Sequence, residues 1–566
     1  MKKLLHYLLL AIIIVGCKNS ENSTSTIVSN IDSLMNYSYK NGLFNGTVLV
    51  SKYNKVIFRK SFGYADFDKK ESLIPESSFY LASVSKQFTT MAVMILKERG
   101  KLSYDNKLSD YFPDFPEYAD SVTIRHMMTH TSGIPDHFGL GAYKVGLNNN
   151  DVYDILINQN RLNFEPGSQF SYSNGGYMLL SMIIEKVTGE SFHDFMERNI
   201  FIPLKMHNTL VYDVSEPMVK NRAIGYNVSG ELDDYEIFTT GAGGIYSNID
   251  DLFIWDQALS KSELVSPETL NEAYQPTVLS SGEKSYYGFG WGVNQAKNWV
   301  DHSGGLAGFR TYFRRYLDRG DAFVLLTNNG DNFSMDEINL GIDNILANED
   351  FELPKVRISN KLSSLIKSEG IDKAIEVGKE HFHQNLVEYD ELGINTLGYS
   401  YLQIGDIDVA LKLFKLNVEN RPNSGNAYDS YAEALLANVD TTAAIENYIK
   451  SVKMNPNNQN GINVLESLGV DSTEILPQVE LKGEQLDIFI GKYELNPDFI
   501  LDIKREGDHL FIHPSGQRKS QLFAATESRF YSKIVDAQLT FNKNKYGKVV
   551  SLTLHQGGDH EARKVN

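Results

Sequence analysis

Ser83 and Lys86 stand three residues apart at the head of FYLASVSKQFTTMAVMILKERGKLS, residues 79–103, a stretch with a long apolar run. On a helix, positions i and i+3 share a face, so both side chains point the same way at the first turn. A serine hydroxyl is a weak nucleophile. It becomes useful when a neighbour takes its proton and donors hold the oxyanion. A lysine kept in an apolar setting has a lowered pKa and suits that task. The run MAVMIL supplies the setting by making this a buried helix, and the helix N-terminus brings backbone N–H groups and a positive dipole end beside Ser83. A lysine one turn into a buried helix is costly unless it is paired or used. A capping serine followed by a snorkelling lysine is the competing reading.

Two further clusters carry compatible chemistry. Tyr172-Ser173-Asn174 lies in a turn before a second apolar helix. Tyrosine and asparagine two apart on a loop can both face one cleft. A phenolate beside a lysine ammonium is stabilised, which suits Tyr172 to relaying protons. Asn174 offers a donor and an acceptor for the lysine and a substrate carbonyl. His302-Ser303-Gly304-Gly305 sits just before an apparent strand. Glycines there let a substrate backbone approach the strand edge and add to it. The N–H of Gly305 is a candidate second oxyanion donor, and His302 and Ser303 are candidates to meet a carboxylate or a carbonyl. Alone, each cluster also reads as an ordinary turn.

The elements that must position these groups run from about Ile27 to Glu349, where strand and helix signals mix. GTVLVSKYNKVIFRKSFGYAD predicts a hairpin turning near Tyr53-Asn54-Lys55. Helical patterns follow Ser83 and Tyr177, and FRTYFRRYL and DAFVLLTNN predict two more strands around DRGD. Helices inside a chain that opens and closes with strands predict an α+β fold. Ser247 and Asp250 read as a capping box for the helix that follows.

From about Ser359 to Leu468 the pattern is helical and repeats. Gly398, Tyr401, Ala410, Phe414 and Pro422 recur 34 residues on as Ala432, Leu435, Ala444, Tyr448 and Pro456, the packing positions and terminal proline of a tetratricopeptide repeat. From about Val479 short alternating runs such as FILDIKREGDHLFIHP predict a small antiparallel β domain.

A net charge of -18 argues against nucleic acid as a partner, because phosphates would be repelled. The single cysteine, Cys17, rules out an internal disulfide. It follows two lysines and an apolar run too short to span a bilayer. IVGC resembles a bacterial lipobox, which implies a signal peptide over 1–17, acyl chains on Cys17 and a polar tether over 18–26. The chain is therefore expected to be exported and to meet the membrane through that lipid anchor only. His126 and His130 are spaced i, i+4, but no H-E-x-x-H glutamate accompanies them, so no metal is expected there.

Taken together, Ser-x-x-Lys, then Tyr-x-Asn, then His-x-Gly before a late strand resembles the serine β-lactamase and penicillin-binding protein superfamily, in its class C-like branch. TIRHMMTHTSGIPD, GAGGIYSNIDDLFIW and HSGGLAGFRT fit the same resemblance. It implies a β-lactamase-like domain over 27–350, with an antiparallel sheet flanked by helices and a helical subdomain. A helical repeat domain over 359–470 and a β domain over 479–566 then follow. The latter resembles, more loosely, a β module appended to exported serine hydrolases. By this resemblance Ser83 is the acyl-enzyme nucleophile and Lys86 its proton acceptor. Tyr172 protonates the leaving group or activates the deacylating water. Asn174 positions Lys86 and the substrate, and His302, Ser303, Gly304 and Gly305 border the substrate, with the Ser83 and Gly305 N–H groups forming the oxyanion hole. No metal or organic cofactor is required. Many penicillin-interacting members carry lysine at the position of His302. A histidine there is largely neutral at pH 7, which weakens the expectation of efficient β-lactam hydrolysis. The expected substrate is an amide or ester, with D-amino-acid peptides of the cell wall, a plain ester or a β-lactam as variants. A catalytically silent protein that binds a peptide or protein through its repeats is the rival expectation.

Overall fold

The predicted hairpin forms: β1 (Gly46–Lys52) and β2 (Lys55–Phe62) pair antiparallel. Tyr53 and Asn54 both turn through positive φ, 51° and 61°, the backbone that a two-residue hairpin turn needs. The computed structural model describes residues 24–213, 218–227, 230–330, 335–456, 458–470, 479, 481–496, 499–532, 537–544, 547–555 and 559–565. Cys17, and the tether up to residue 23, lie outside the described residues. Among the described residues no helix is long and apolar enough to cross a membrane.

The described residues up to Glu388 form one compact unit and those from Tyr389 a second. The first is built on a six-stranded antiparallel sheet. Its later strands are β3 (Gly292–Asn294), β4 (Trp299–Leu306), β5 (Phe309–Tyr316) and β6 (Ala322–Thr327). The order is β3-β4-β5-β6-β1-β2, so the chain's first strand pairs with its last. β1 and β6 are buried along their whole length, because helices cover both faces. On one face α1 (24–40) and α5 (Met335–Ala347) bring Ile31, Leu34, Ile342 and Ile345 against Val48, Val50 and Leu325. On the other face lie α2 (Lys86–Glu98), α3 (Asn174–Thr188) and α4 (Ile249–Lys261), with Phe88, Met91, Ile183 and Trp255 in one core with Leu49 and Leu326. Every residue of α2 from Lys86 to Leu96 is buried, which is why its sequence is apolar over so long a run. Each such Phe, Leu or Met contributes about 1.5–3 kcal/mol of burial.

The cap of α4 differs from expectation by one residue. Asn248 is the N-cap and accepts from the Asp251 N–H, while the Ser247 hydroxyl bonds Thr209 and Asp250 pairs with Arg59. The asparagine side chain reaches the first-turn donor, and tertiary partners claim the serine and the aspartate.

Two helices of the predicted repeat region, α6 (Ile358–Glu369) and α7 (Ile371–His383), belong to the first unit. Lys367 ties α6 to the Gly230 carbonyl at 2.7 Å and to Glu231 at 3.0 Å. In the second unit, α8 (Glu391–Gln403), α9 (Ile407–Asn420), α10 (Gly425–Ala437), α11 (Thr441–Met454) and α12 (Gln459–Ser467) pack in sequence. A β-carbon at Gly398 would press on the Phe414 ring at 2.6 Å, so these two packing positions within one period lie in contact.

The small β domain is a closed barrel of eight strands: β7 (Gly491–Asn496), β8 (Phe499–Glu506), β9 (His509–Pro514), β10 (Ser520–Ala524), β11 (Arg529–Ser532), β12 (Gln538–Lys543), β13 (Val549–His555) and β14 (Asp559–Val565). Each strand pairs with the next and β14 closes on β7, which removes free edges.

Candidate active site

Three segments meet at the C-terminal end of β4. The first is the turn that carries Ser83. It is a 3-10 turn over Ala82–Ser85, after which α2 begins at Lys86. In that tighter winding side chains at i and i+3 eclipse, which sets Lys86 over Ser83 more directly than an α-helix would. The turn is held from outside: Leu81 N–H donates to the Ile245 carbonyl at 2.8 Å, and the Thr311 hydroxyl donates to the Leu81 carbonyl at 2.7 Å. Ala82 is forced to φ 48°, a left-handed conformation costly for a residue with a β-carbon. β4 lies tight against this turn. A side chain at Gly304 would collide with the Leu81 carbonyl and the Thr311 hydroxyl, and would come within 3.1 Å of the Ser83 nitrogen.

Lys86 is fully buried, at 0% exposure. Its Nζ lies 3.1 Å from Ser83 Oγ, 2.9 Å from Asn174 Oδ1 and 2.8 Å from the Ala242 carbonyl. Burial pushes its pKa down to about 7, with the negative charge of Asp136 opposing the fall. Asn174 Oδ1 and the Ala242 carbonyl can only accept hydrogen bonds, and a neutral amine has two N–H groups and one lone pair. The two acceptors take both N–H groups, so the lone pair is left for the Ser83 hydroxyl proton. The arrangement is that of a base and its nucleophile.

Asn174 is the first residue of α3, whose N-cap is Ser173. Asp136 Oδ2 accepts from the Asn174 backbone N–H at 2.6 Å and from its Nδ2 at 2.9 Å. This fixes the amide so that its oxygen faces Lys86. The carboxylate also sits at the positive end of α3.

Tyr172 presents its ring to Lys86, with Nζ 4.8 Å from the ring centroid. Its buried hydroxyl makes no direct hydrogen bond of good geometry; the Ser83 side chain only partly offsets the burial, which pushes the phenol well above its ordinary range. The resting state is therefore a neutral phenol and not the phenolate read from the sequence. The reason is burial, to which the negative charge of Asp136 adds. A neutral phenol beside Ser83 is a proton donor. His130 packs at a tilt on the Tyr172 ring, centroids 4.1 Å apart, and accepts from Ser173 N–H at 3.1 Å. His126 caps its own helix start by accepting from Thr123 N–H at 3.2 Å, so the two histidines serve separate structural tasks.

The four residues of the third cluster part company. Gly305 lines the cleft beside Ser83, Tyr172 and Asn174. Ser303 is exposed and Gly304 is buried against the Ser83 turn. His302, 7% exposed, points into the protein. Its Nδ1 donates to the Ser303 carbonyl at 2.6 Å, and its Nε2 accepts from the Tyr287 hydroxyl at 2.8 Å. Burial and the nearby Lys86 charge push its pKa down to about 3. Both ring nitrogens are thus occupied and the ring is neutral, which leaves none to greet a substrate carboxylate. The cleft has a volume of about 220 Å³, and Phe138, Met178 and Leu306 form apolar parts of its wall.

An acidic loop residue, a backbone carbonyl and a tyrosine were not singled out from the sequence: Asp136, Ala242 and Tyr287. Asp136 ends the family-like segment TSGIPD, which is the one signal that pointed to it.

This geometry, a serine beside a buried lysine on an antiparallel sheet sandwiched by helices, is that of a serine hydrolase of the β-lactamase-like superfamily. The family model described as Beta-lactamase matches residues 29–347, and the chain belongs to that family. A domain of unknown function, DUF3471, matches residues 477–564. The chain is 35% identical over 358 residues to a penicillin-binding protein of Bacillus subtilis (strain 168), spanning 59% of this chain and 77% of that protein. Two solved structures share the fold. An octameric penicillin-binding protein homologue from Pyrococcus abyssi aligns with a TM-score of 0.52 at 17% identity, covering 95% of this chain and 100% of that one. A class C β-lactamase aligns with a TM-score of 0.50 at 22% identity, covering 58% and 98%.

Proposed function

We propose that the chain is an acyl-transferring hydrolase that cleaves an amide or ester through an acyl-enzyme on Ser83. Neutral Lys86 takes the hydroxyl proton as Ser83 Oγ attacks the carbonyl carbon. The Ser83 and Gly305 N–H groups hold the oxyanion. The neutral phenol of Tyr172 protonates the leaving group, and the resulting base activates water for deacylation. Asn174 aligns Lys86 and the substrate carbonyl. The observation that carries this reading is the hydrogen-bond arithmetic at Lys86, which leaves its lone pair for Ser83.

The same pocket supports a reading of the substrate class. D-amino-acid peptides of the cell wall fit the family. The buried, neutral His302 and the apolar walls favour a substrate whose recognised group carries no carboxylate, which keeps an ester or a D-amino-acid amide ahead of a β-lactam. The domain reading is a catalytic domain over 27–350 followed by tetratricopeptide-like helices that dock a peptide or protein. The cellular reading is export with lipidation at Cys17. The 34-residue period and the IVGC segment support these two readings.

The deciding experiment is intact mass after incubation with benzylpenicillin and, separately, with a fluorophosphonate, with Ser83→Ala as control. An adduct from the fluorophosphonate that the variant lacks supports the acyl-enzyme, and a stable penicillin adduct narrows it to a peptidase. No adduct from either reagent would overturn it in favour of a silent binding protein.

A further inference from the structure

The C-terminal barrel is packed along only part of its interior. Phe489, Phe530 and Phe541 pack against one another, edge-to-face or tilted, with centroids 4.8–5.4 Å apart, and Tyr493 meets Phe541 edge-on at 5.5 Å. Two residues before Phe541 on the same face of β12 stands Leu539, opposite Leu554. There the aromatic filling stops and a cavity of about 380 Å³ opens. Its wall is mainly apolar: Leu501, Ile512, Leu522, Leu539 and Leu554 are joined by Phe499, with Gln517 among the polar residues. The serines in the wall, Ser520 and Ser532, bond each other at 3.3 Å. Water needs two to four polar partners to sit in such a space, and this wall offers few. Closed eight-stranded barrels are either filled by side chains or hold one small ligand, and this volume is in the range of small-molecule sites.

The rim supplies the second observation. Arg518 and Lys519 both border the cavity. Lys519 is neutralised by Glu506, at 2.6 and 2.7 Å. Arg518 is exposed and has no ion-pair partner among the described residues. A mainly apolar chamber with one uncompensated guanidinium at its mouth matches a ligand with an apolar chain and an anionic end. A methylene takes about the space of a water molecule, on the order of 30 Å³, so the chamber accommodates a chain of up to roughly twelve carbons.

We propose that this barrel binds a single-chain aliphatic carboxylate of medium length, with the chain between Leu522 and Leu539 and the carboxylate on Arg518. The test is calorimetric titration of the full-length protein with decanoate, decanol and butyrate. Decanoate is expected to bind one to one and butyrate at least tenfold more weakly. Arg518→Glu, a surface change, should weaken decanoate about tenfold and leave decanol unaltered. Leu522→Trp, which fills the chamber, should abolish binding of both. If Leu522→Trp does not fold, the Arg518→Glu arm and the chain-length comparison decide alone. Absence of decanoate binding to the unaltered protein overturns the proposal, as does binding that neither substitution changes. Decanoate and decanol binding alike, with no effect of Arg518→Glu, overturns the anionic end.

Discussion

A single carboxylate oxygen of Asp136 holds Asn174 twice, by its backbone N–H at 2.6 Å and by its side-chain Nδ2 at 2.9 Å. The amide so fixed turns its oxygen to Lys86, and the lysine in turn meets Ser83. Asp136 thus acts on the nucleophile through two intermediaries, and its charge raises the Lys86 pKa against burial.

Replacing it should therefore have two signatures. Asp136→Ala leaves N–H groups unpaired at the start of α3 and should cost about 1–3 kcal/mol of stability. It should also move the acidic break of the pH–rate profile of kcat/KM to lower pH, because the lysine loses the negative charge that favours its ammonium. Loss of stability with an unmoved break would reduce Asp136 to a helix cap.

For the unaltered enzyme, Lys86 must be neutral to accept a proton, so acylation should fall tenfold per pH unit below about 7 and level off above it. Burial holds the Tyr172 phenol above its ordinary range, so no alkaline decline is expected up to about pH 9. Rates of fluorophosphonate labelling between pH 5 and about 9 check both limbs. A profile flat through pH 7 would remove Lys86 from the role of base.

Tyr172→Phe removes a hydroxyl that makes no hydrogen bond of good geometry in the resting protein. Turnover should drop about 10²–10⁴-fold, while the melting temperature moves by no more than about 2 °C. A large loss of stability with activity retained would mean that the phenol is structural.

His302 predicts an acid-side instability. Its pKa is near 3 in the folded protein and near 6.5 in the unfolded chain, so its contribution is whole above pH 6.5 and is lost as pH falls toward 3. The slope reaches about 1.4 kcal/mol per pH unit for this one group. Urea midpoints at several values across that window should fall more steeply for the unaltered protein than for His302→Gln. Parallel curves would show that the imidazole is accessible and titrates normally.

These predictions rest partly on residues the sequence announces and partly on residues it hides. Ser83, Lys86, Tyr172 and Asn174 are legible because a nucleophile, a base and their orienters need particular side chains at particular spacings, and apolar helices follow both motifs. The hairpin at Tyr53-Asn54 is legible because the turn sits between two β-rich runs. Asp136, Ala242 and Tyr287 are not. An aspartate in a loop, a main-chain carbonyl and one tyrosine among 31 acquire their meaning only when distant segments meet. The same holds for His302. Its type suggested a side chain facing substrate, whereas strand alternation and the Tyr287 hydroxyl turn it inward. Alternation likewise foretold strands after residue 490 but not that β14 would return to β7, since closure depends on pairing between the two ends of the domain.

The pairing of β1 with β6 couples Gly46 to Thr327 deep in the catalytic sheet. Contacts so far apart along the chain make folding slow, because loop closure must precede their reward. The sheet cannot be completed until the strand ending at Thr327 has left the ribosome, and the turn carrying Ser83 packs on that sheet. A chain leaving the ribosome is thus chemically inert for most of the synthesis of its own catalytic domain.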